Sequence, residues 1–351
     1  MIHDRIRRAR VLRGLSLEAV AQSLGDISKQ ALSKYEKGAP PPNSTRLLQL
    51  AKVLSIKPEY FFRADGLQLA PLEFRKLARM PQKRQDQVGE QMRDHLERYV
   101  SLERCFELDG SAQATLQVPR VFAVGSAEAA EAAAEQLRVQ WAIGGDAIAH
   151  LAELLEEHGI KVALLDDLDG FDGACAATHD ESHVLIALNS SRPGERVRFT
   201  AAHELGHWVM ALPEGMPEKE REACCHRFAG AFLYPGQRVK ADFGTHRRSR
   251  VLPVELLNAK RRYGVSMALA LRRLKDLHLI TDAGYQNMNI LFATSGWKRA
   301  EPEPLQAEQP RRFESLVYRA LAEDLISSTR AAELLQLSTA DLDPGLAHLP
   351  H

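Results

Sequence analysis

Cysteine is scarce in this sequence. Cys105, Cys175, Cys224 and Cys225 are the only four in 351 residues, and none stands in a C-x-x-C spacing. Neighbours Cys224 and Cys225 are poor partners for each other, so a disulfide scaffold is excluded and a reducing cytoplasm is the expected compartment. Long apolar runs are missing too. Nothing approaches the roughly 18–20 residues of a membrane-spanning helix, and the opening Met1-Ile2-His3-Asp4-Arg5 lacks the apolar stretch of a secretory leader. No membrane partner and no export are therefore expected. Neither sign of charge is in excess, since Lys+Arg 46 equals Asp+Glu 46. Whole-chain electrostatics predict no general affinity for nucleic acid or lipid, and any such partner needs a local patch.

One such patch lies at the start. Residues 1–65 hold twice as many Lys and Arg as Asp and Glu, among them Arg5, Arg7, Arg8, Arg10, Arg13, Lys29, Lys34 and Lys37. Ile2, Ile6, Ala9 and Leu12 share one helical face, and Gly14 ends that helix. Ser16 suits the cap of a second helix over Leu17–Leu24, with Gly25 as its stop; Ser28 suits the cap of a third over Lys29–Lys37. Leu47-Leu48, Leu50-Ala51, Val53-Leu54 and Tyr60-Phe61-Phe62 complete a five-helix core. Two short helices around Gly25-Asp26-Ile27 fit the helix-turn-helix plan, in which the start of the second enters the major groove. Lys29, Gln30, Ser33 and Lys34 would then face base edges and phosphates of double-stranded operator DNA. The alternative is a docking or dimerisation module with a solvated basic face.

The stretch from Arg7 to Phe61, including Leu32-Ser33-Lys34-Tyr35-Glu36-Lys37-Gly38, resembles the Xre family of phage-repressor-like DNA-binding domains. That family often has Gln at the first position of its second helix, where this chain has Leu17. A homodimer is among the expected partners.

Residues 66–125 read as a helical arm, with Val88, Met92, Leu96 and Val100 at helical intervals, Pro81 as a break, and a loose stretch from Asp109 to Pro119. Residues 126–295 read as a compact α+β unit: a helix over 127–141, another capped by Asp146 and running to Glu157, strands at 160–165 and 183–188, and a weaker third at 174–178. Residues 296–351 begin with a Pro/Glu/Gln-rich linker, Glu301–Pro310, and continue as a helical piece over 313–335. The expected class is α+β, mostly helical, with about three strands.

The sharpest motif is His203-Glu204-Leu205-Gly206-His207. On a helix, positions i and i+4 share one face, so both imidazoles can address one ion while Glu204 reaches a water on it. A catalytic zinc site needs a third protein ligand. The helix can run only to about Ala211 before Pro213, Gly215 and Pro217 force a turn. At about 1.5 Å per residue, Glu222 on an antiparallel second helix comes level with the histidine pair. His226, four residues on, is a rival ligand, a residue that supports the ligands from behind by a hydrogen bond, or a hydrogen-bond donor to the transition state.

Arg198-Phe199-Thr200, the H-E-x-x-H, Glu222, Phe228-Ala229 and Leu233-Tyr234-Pro235 resemble the ImmA/IrrE family of zinc metallopeptidases. The resemblance implies a zincin-like fold, Zn2+ held by His203, His207 and Glu222, and Glu204 as general base, with His226 and Tyr234 as candidate oxyanion partners. The family usually has Asn where this chain has His226. Nearly the whole chain resembles bacterial fusions of the two families. That implies a site-specific endopeptidase and transcriptional regulator whose substrate is an Xre-type repressor in a stress or mobile-element switch. A different class stays open: an antitoxin-type regulator that neutralises a partner toxin by binding, its metal site structural. Two further segments have a plain and a sharp reading. Leu256–Leu279 is either a second helix-turn-helix or domain packing, and Cys224-Cys225 is either a redox pair or two small buried residues.

Overall fold

A computed structural model describes residues 1–63, 67, 69–70, 80–108, 122–166, 169–339 and 341–342. The chain divides into two compact units. One gathers Met1–Thr115, Ala176–Ser182 and Arg311–His351; the other holds Leu116–Cys175 and His183–Pro310.

The first unit opens with α1 (Ile2–Leu12), α2 (Leu17–Leu24), α3 (Lys29–Glu36) and α4 (Ser44–Val53). Ser16 Oγ accepts the Ala19 amide at 3.1 Å and Ser28 Oγ accepts the Ala31 amide at 3.2 Å, so both expected caps form. Gly25 takes the left-handed conformation (φ +77°) that turns the chain between α2 and α3. Ile6, Val20, Leu32, Leu50, Leu54 and Phe61 meet in one core. The fifth expected helix is a single 3-10 turn, Pro58–Phe62, because proline sets the first residue and only five residues follow the cap. The arm is α5 (Gln82–Leu108), which buries Val88, Met92, Leu96, Tyr99 and Leu102 along one stripe. The expected loose stretch from Asp109 to Pro119 lies outside the described residues.

The second unit begins with β1 (Phe122–Ala123) and α6 (Ala127–Gln140). The next helix, α7, is shorter than the sequence suggests, Leu151–Glu157, and its cap is His150, whose Nδ1 accepts the Glu153 amide at 3.2 Å. Asp146 instead holds the preceding loop: its Oδ1 accepts Arg238 Nη2 at 2.9 Å and its carbonyl accepts Arg138. Then follow β2 (Ile160–Leu165), β3 (Gly173–Ala177), β4 (Val184–Asn189), α8 (Gly194–Val209), β5 (Met210–Ala211) and α9 (Glu218–Leu233). The three-stranded sheet has the order β2-β4-β3, with β2 and β4 parallel from Ile160↔Val184 to Leu165↔Asn189. A second, two-stranded sheet pairs β1 with β5. The unit ends with α10 (Gly236–Phe243), α11 (Pro253–Tyr263), α12 (Met267–Asp276) and α13 (Asp282–Thr294).

Residues 301–310 have no regular structure, yet they are pinned to this unit. Glu301 accepts the Met267 and Ala268 amides at 2.7 and 2.9 Å, capping α12, and lies 3.1 Å from buried Lys260. Glu308 pairs with Arg198 of α8 and accepts the Ala152 amide. What composition suggests is a linker is a strap.

The tail returns to the first unit as two helices, α14 (Arg312–Ala322) and α15 (Ser328–Leu334), split where Ser327 caps the second. Phe313, Val317 and Ala331 pack with Tyr99 and Phe106 of α5. Among the described residues, no helix is long and apolar enough to cross a membrane.

Candidate metal centre

Two helices and the turn between them make the centre. α8 stops at Val209 because Met210 goes extended to pair with β1, and Pro213 and Pro217 bound the reversal into α9. α9 packs against both α6 and α8. The α8–α9 approach depends on Gly206: a Cβ there would meet Phe228 Cδ1 at 2.9 Å. On the other side of α8, Gly173 leaves room for the Thr200 methyl, which an added Cβ would meet at a clashing distance. Arg198 anchors the same helix, donating to the Ile148 carbonyl at 2.8 Å as well as pairing with Glu308.

This packing brings three of the expected residues together. His203 Nε2 and His207 Nε2 are 3.2 Å apart, His203 Nε2 lies 3.3 Å from Glu222 Oε2, and His207 Nε2 lies 3.2 Å from Glu222 Oε1. The triangle suits one small cation. Donors at about 2.0–2.1 Å from a tetrahedral zinc ion sit about 3.3–3.4 Å from each other. Two imidazole nitrogens and a carboxylate oxygen are also a donor set that zinc accepts and that magnesium or calcium, which prefer all-oxygen shells, does not favour. Among the described residues, these three are the group able to hold a metal ion.

Glu204, next to His203 on α8, is only 3% exposed. His226 sits one turn past Glu222 on α9. Its ring centroid is 4.7 Å from that of His203 and stacks on Phe199 at 5.7 Å. It borders the triad without belonging to the donor triangle.

Tyr234 is not brought there. It follows Glu222 by twelve residues on α9, about 18 Å along a helix axis. Its hydroxyl is committed elsewhere, donating to Asp242 Oδ2 at 2.6 Å in a fully buried setting against Tyr263. Burial, with Asp242 beside it, pushes that phenol above its ordinary range. Tyr234 ends the helix and packs the domain; the oxyanion role expected of it does not fit this geometry.

In the first unit, Lys29, Gln30 and Lys34 are exposed on α3 and Ser33 is half-buried beside them. Lys29 has only a loose, exposed contact with Glu18 at 3.5 Å. Leu17 packs against the domain core. The α11–α12 pair, by contrast, has its arginines neutralised: Arg261 by Glu303, Arg262 by Asp242, Arg272 by Asp276 and Arg273 by Glu131. Ser266 caps α12 as expected, but the pair packs the domain rather than offering a basic face. Cys224 and Cys225 are both buried.

Comparison with known proteins adds two domain matches. Residues 6–61 match the helix-turn-helix family model, and residues 155–275 match that of the IrrE N-terminal-like domain, a peptidase family. Uncharacterized HTH-type transcriptional regulators of Sinorhizobium medicae and Rhizobium meliloti are each 36% identical over 61 residues, 17% of this chain and 43% of theirs. One from Sinorhizobium fredii is 34% identical over the same length. The chain thus spans less than half the length of the curated relatives it matches.

Proposed function

Because the chain joins an Xre-type helix-turn-helix domain to an IrrE N-terminal-like domain, we propose that it is a zinc-dependent endopeptidase and transcriptional regulator that cuts an Xre-type repressor. The observation that carries the reading is the triangle of His203, His207 and Glu222 donors, 3.2–3.3 Å on each edge, with Glu204 buried alongside. A zinc ion held by His203, His207 and Glu222 would supply Lewis acidity and acidify the attacking water.

The chain's own residues do the rest. His203 and His207 present Nε2, and Glu222 presents a carboxylate from the facing helix, the three donors that would hold the ion. The Glu204 carboxylate takes a proton from the attacking water and delivers it to the departing amine, the general acid–base duty of this motif. His226, whose ring lies 4.7 Å from that of His203 and stacks on Phe199, is the residue assigned to donate a hydrogen bond to the developing oxyanion. The exposed face of α3 binds operator DNA through Lys29, Gln30, Ser33 and Lys34, so that peptidase and repressor meet on one duplex at a raised effective concentration.

The test incubates the zinc-loaded full chain with an Xre-type repressor encoded beside it and reads the fragments by mass spectrometry. The wild type is expected to make one discrete cut and folded Glu204→Gln none. Cleavage by Glu204→Gln at the wild-type rate overturns the mechanism. An antitoxin with a structural metal predicts no cut by either protein.

A further inference from the structure

Away from the candidate metal centre, the first unit has an open, solvent-accessible cavity of about 420 Å³. That lies within the range of roughly 300–1,000 Å³ common for small-molecule sites. Three separate stretches build it: the 3-10 turn that ends the helix-turn-helix domain with Arg63 and Leu67 after it, the C-terminal half of α5, and α15 of the tail.

Its walls are rich in donors. Arg63, Arg98, Arg104 and Arg330 all line it, and a guanidinium carries several N–H groups and no acceptor. Two of the lining carboxylates are already shared between arginines. Glu333 takes both Arg63, at 2.8 Å, and Arg330. Glu97 takes Arg5 at 2.6 Å and Arg8 at 2.8 Å. Arg63 and Arg98 also share Asp94, at 2.9 and 3.0 Å. Arg104 is different: it is exposed and makes no ion pair among the described residues. Glu59 is the remaining lining carboxylate, so the wall carries four cations against three anions.

Apolar surface adjoins this charge. Phe62 lines the cavity with 65% of its surface exposed, an unusual fraction for a phenylalanine, and Val100 and Leu67 line it too. A cation beside an apolar wall selects a molecule that has both an anionic head and an apolar body.

We propose that this cavity binds a small organic anion, its carboxylate or phosphate head on Arg104 and its aromatic or aliphatic body against Phe62 and Val100. Such a ligand touches the end of the DNA-binding domain, the arm and the tail at once. It therefore acts as an effector that stabilises their joint arrangement by mass action.

Phenylacetate and phenyl phosphate serve as probes for the two head groups, with benzyl alcohol as the neutral counterpart. Calorimetric titration and melting of the full chain are expected to show saturable binding of at least one anion. That anion should bind at least about tenfold more tightly than the alcohol and raise the melting temperature. Arg104→Ala, at an exposed position, is expected to keep the wild-type melting temperature and weaken the anion by about tenfold or more. The tighter of the two anions identifies the head group. Three outcomes overturn the proposal: no saturable binding up to about 10 mM, equal binding of the alcohol, or equal binding by Arg104→Ala.

Discussion

Phe228 of α9 lies directly against Gly206 of α8, close enough that a single added carbon on Gly206 would meet its ring at 2.9 Å. The glycine between His203 and His207 is thus what lets the second helix bring Glu222 to them. Gly206→Ala is expected to destabilise the fold by about 1–3 kcal/mol through overpacking. It is also expected to weaken zinc binding by pushing Glu222 outward. Chemical denaturation and a competitive zinc chelator titration measure the two effects. Wild-type values in both would mean that the helices can approach without the glycine.

Tyr234 separates structure from catalysis. Its hydroxyl donates to Asp242 far from the donor triangle, so Tyr234→Phe is expected to cost about 1 kcal/mol of stability and leave kcat unchanged. A stable Tyr234→Phe protein with kcat reduced by orders of magnitude would put the tyrosine back in the active site.

Much of the centre was legible because its signals are local. The i, i+4 pair His203/His207 needs only a helix, and Glu222 needs only a tight reversal, announced by Pro213, Gly215 and Pro217. The caps Ser16, Ser28 and Ser266 are local as well. Tyr234 misled because adjacency to a family motif says nothing of distance along an uninterrupted helix. The strap misled for the opposite reason. Pro- and Glu-rich composition matches a solvated linker, but the partners of Glu301 and Glu308 stand at Lys260, Met267, Arg198 and Ala152, too remote in sequence for any local pattern to reveal. The pairing of β1 with β5 was equally hidden: two residues a side leave no periodicity to read.

On α3, Lys29 and Lys34 are expected to meet phosphates and Gln30 a base edge. Lys29→Ala and Lys34→Ala should each reduce the salt slope of binding to a selected duplex by about 1. Gln30→Ala should relax preference at one base pair by about 1–3 kcal/mol. Fluorescence anisotropy over a salt series checks both. Unchanged slopes for both lysine variants would favour a docking role for this basic face.

In the proposed function, α8 and α9 together grip one divalent cation while Glu204 stands beside it without binding it. Elemental analysis of the purified full chain and its variants in metal-free buffer, with circular dichroism to confirm folding, reads this directly. The expected result is one zinc per chain for the wild type and for Glu204→Gln, and a large loss for His203→Ala and Glu222→Ala. Folded Glu222→Ala that retains zinc with wild-type affinity, or folded Glu204→Gln that loses it, would mean that the ion is not held by the two helices in this way.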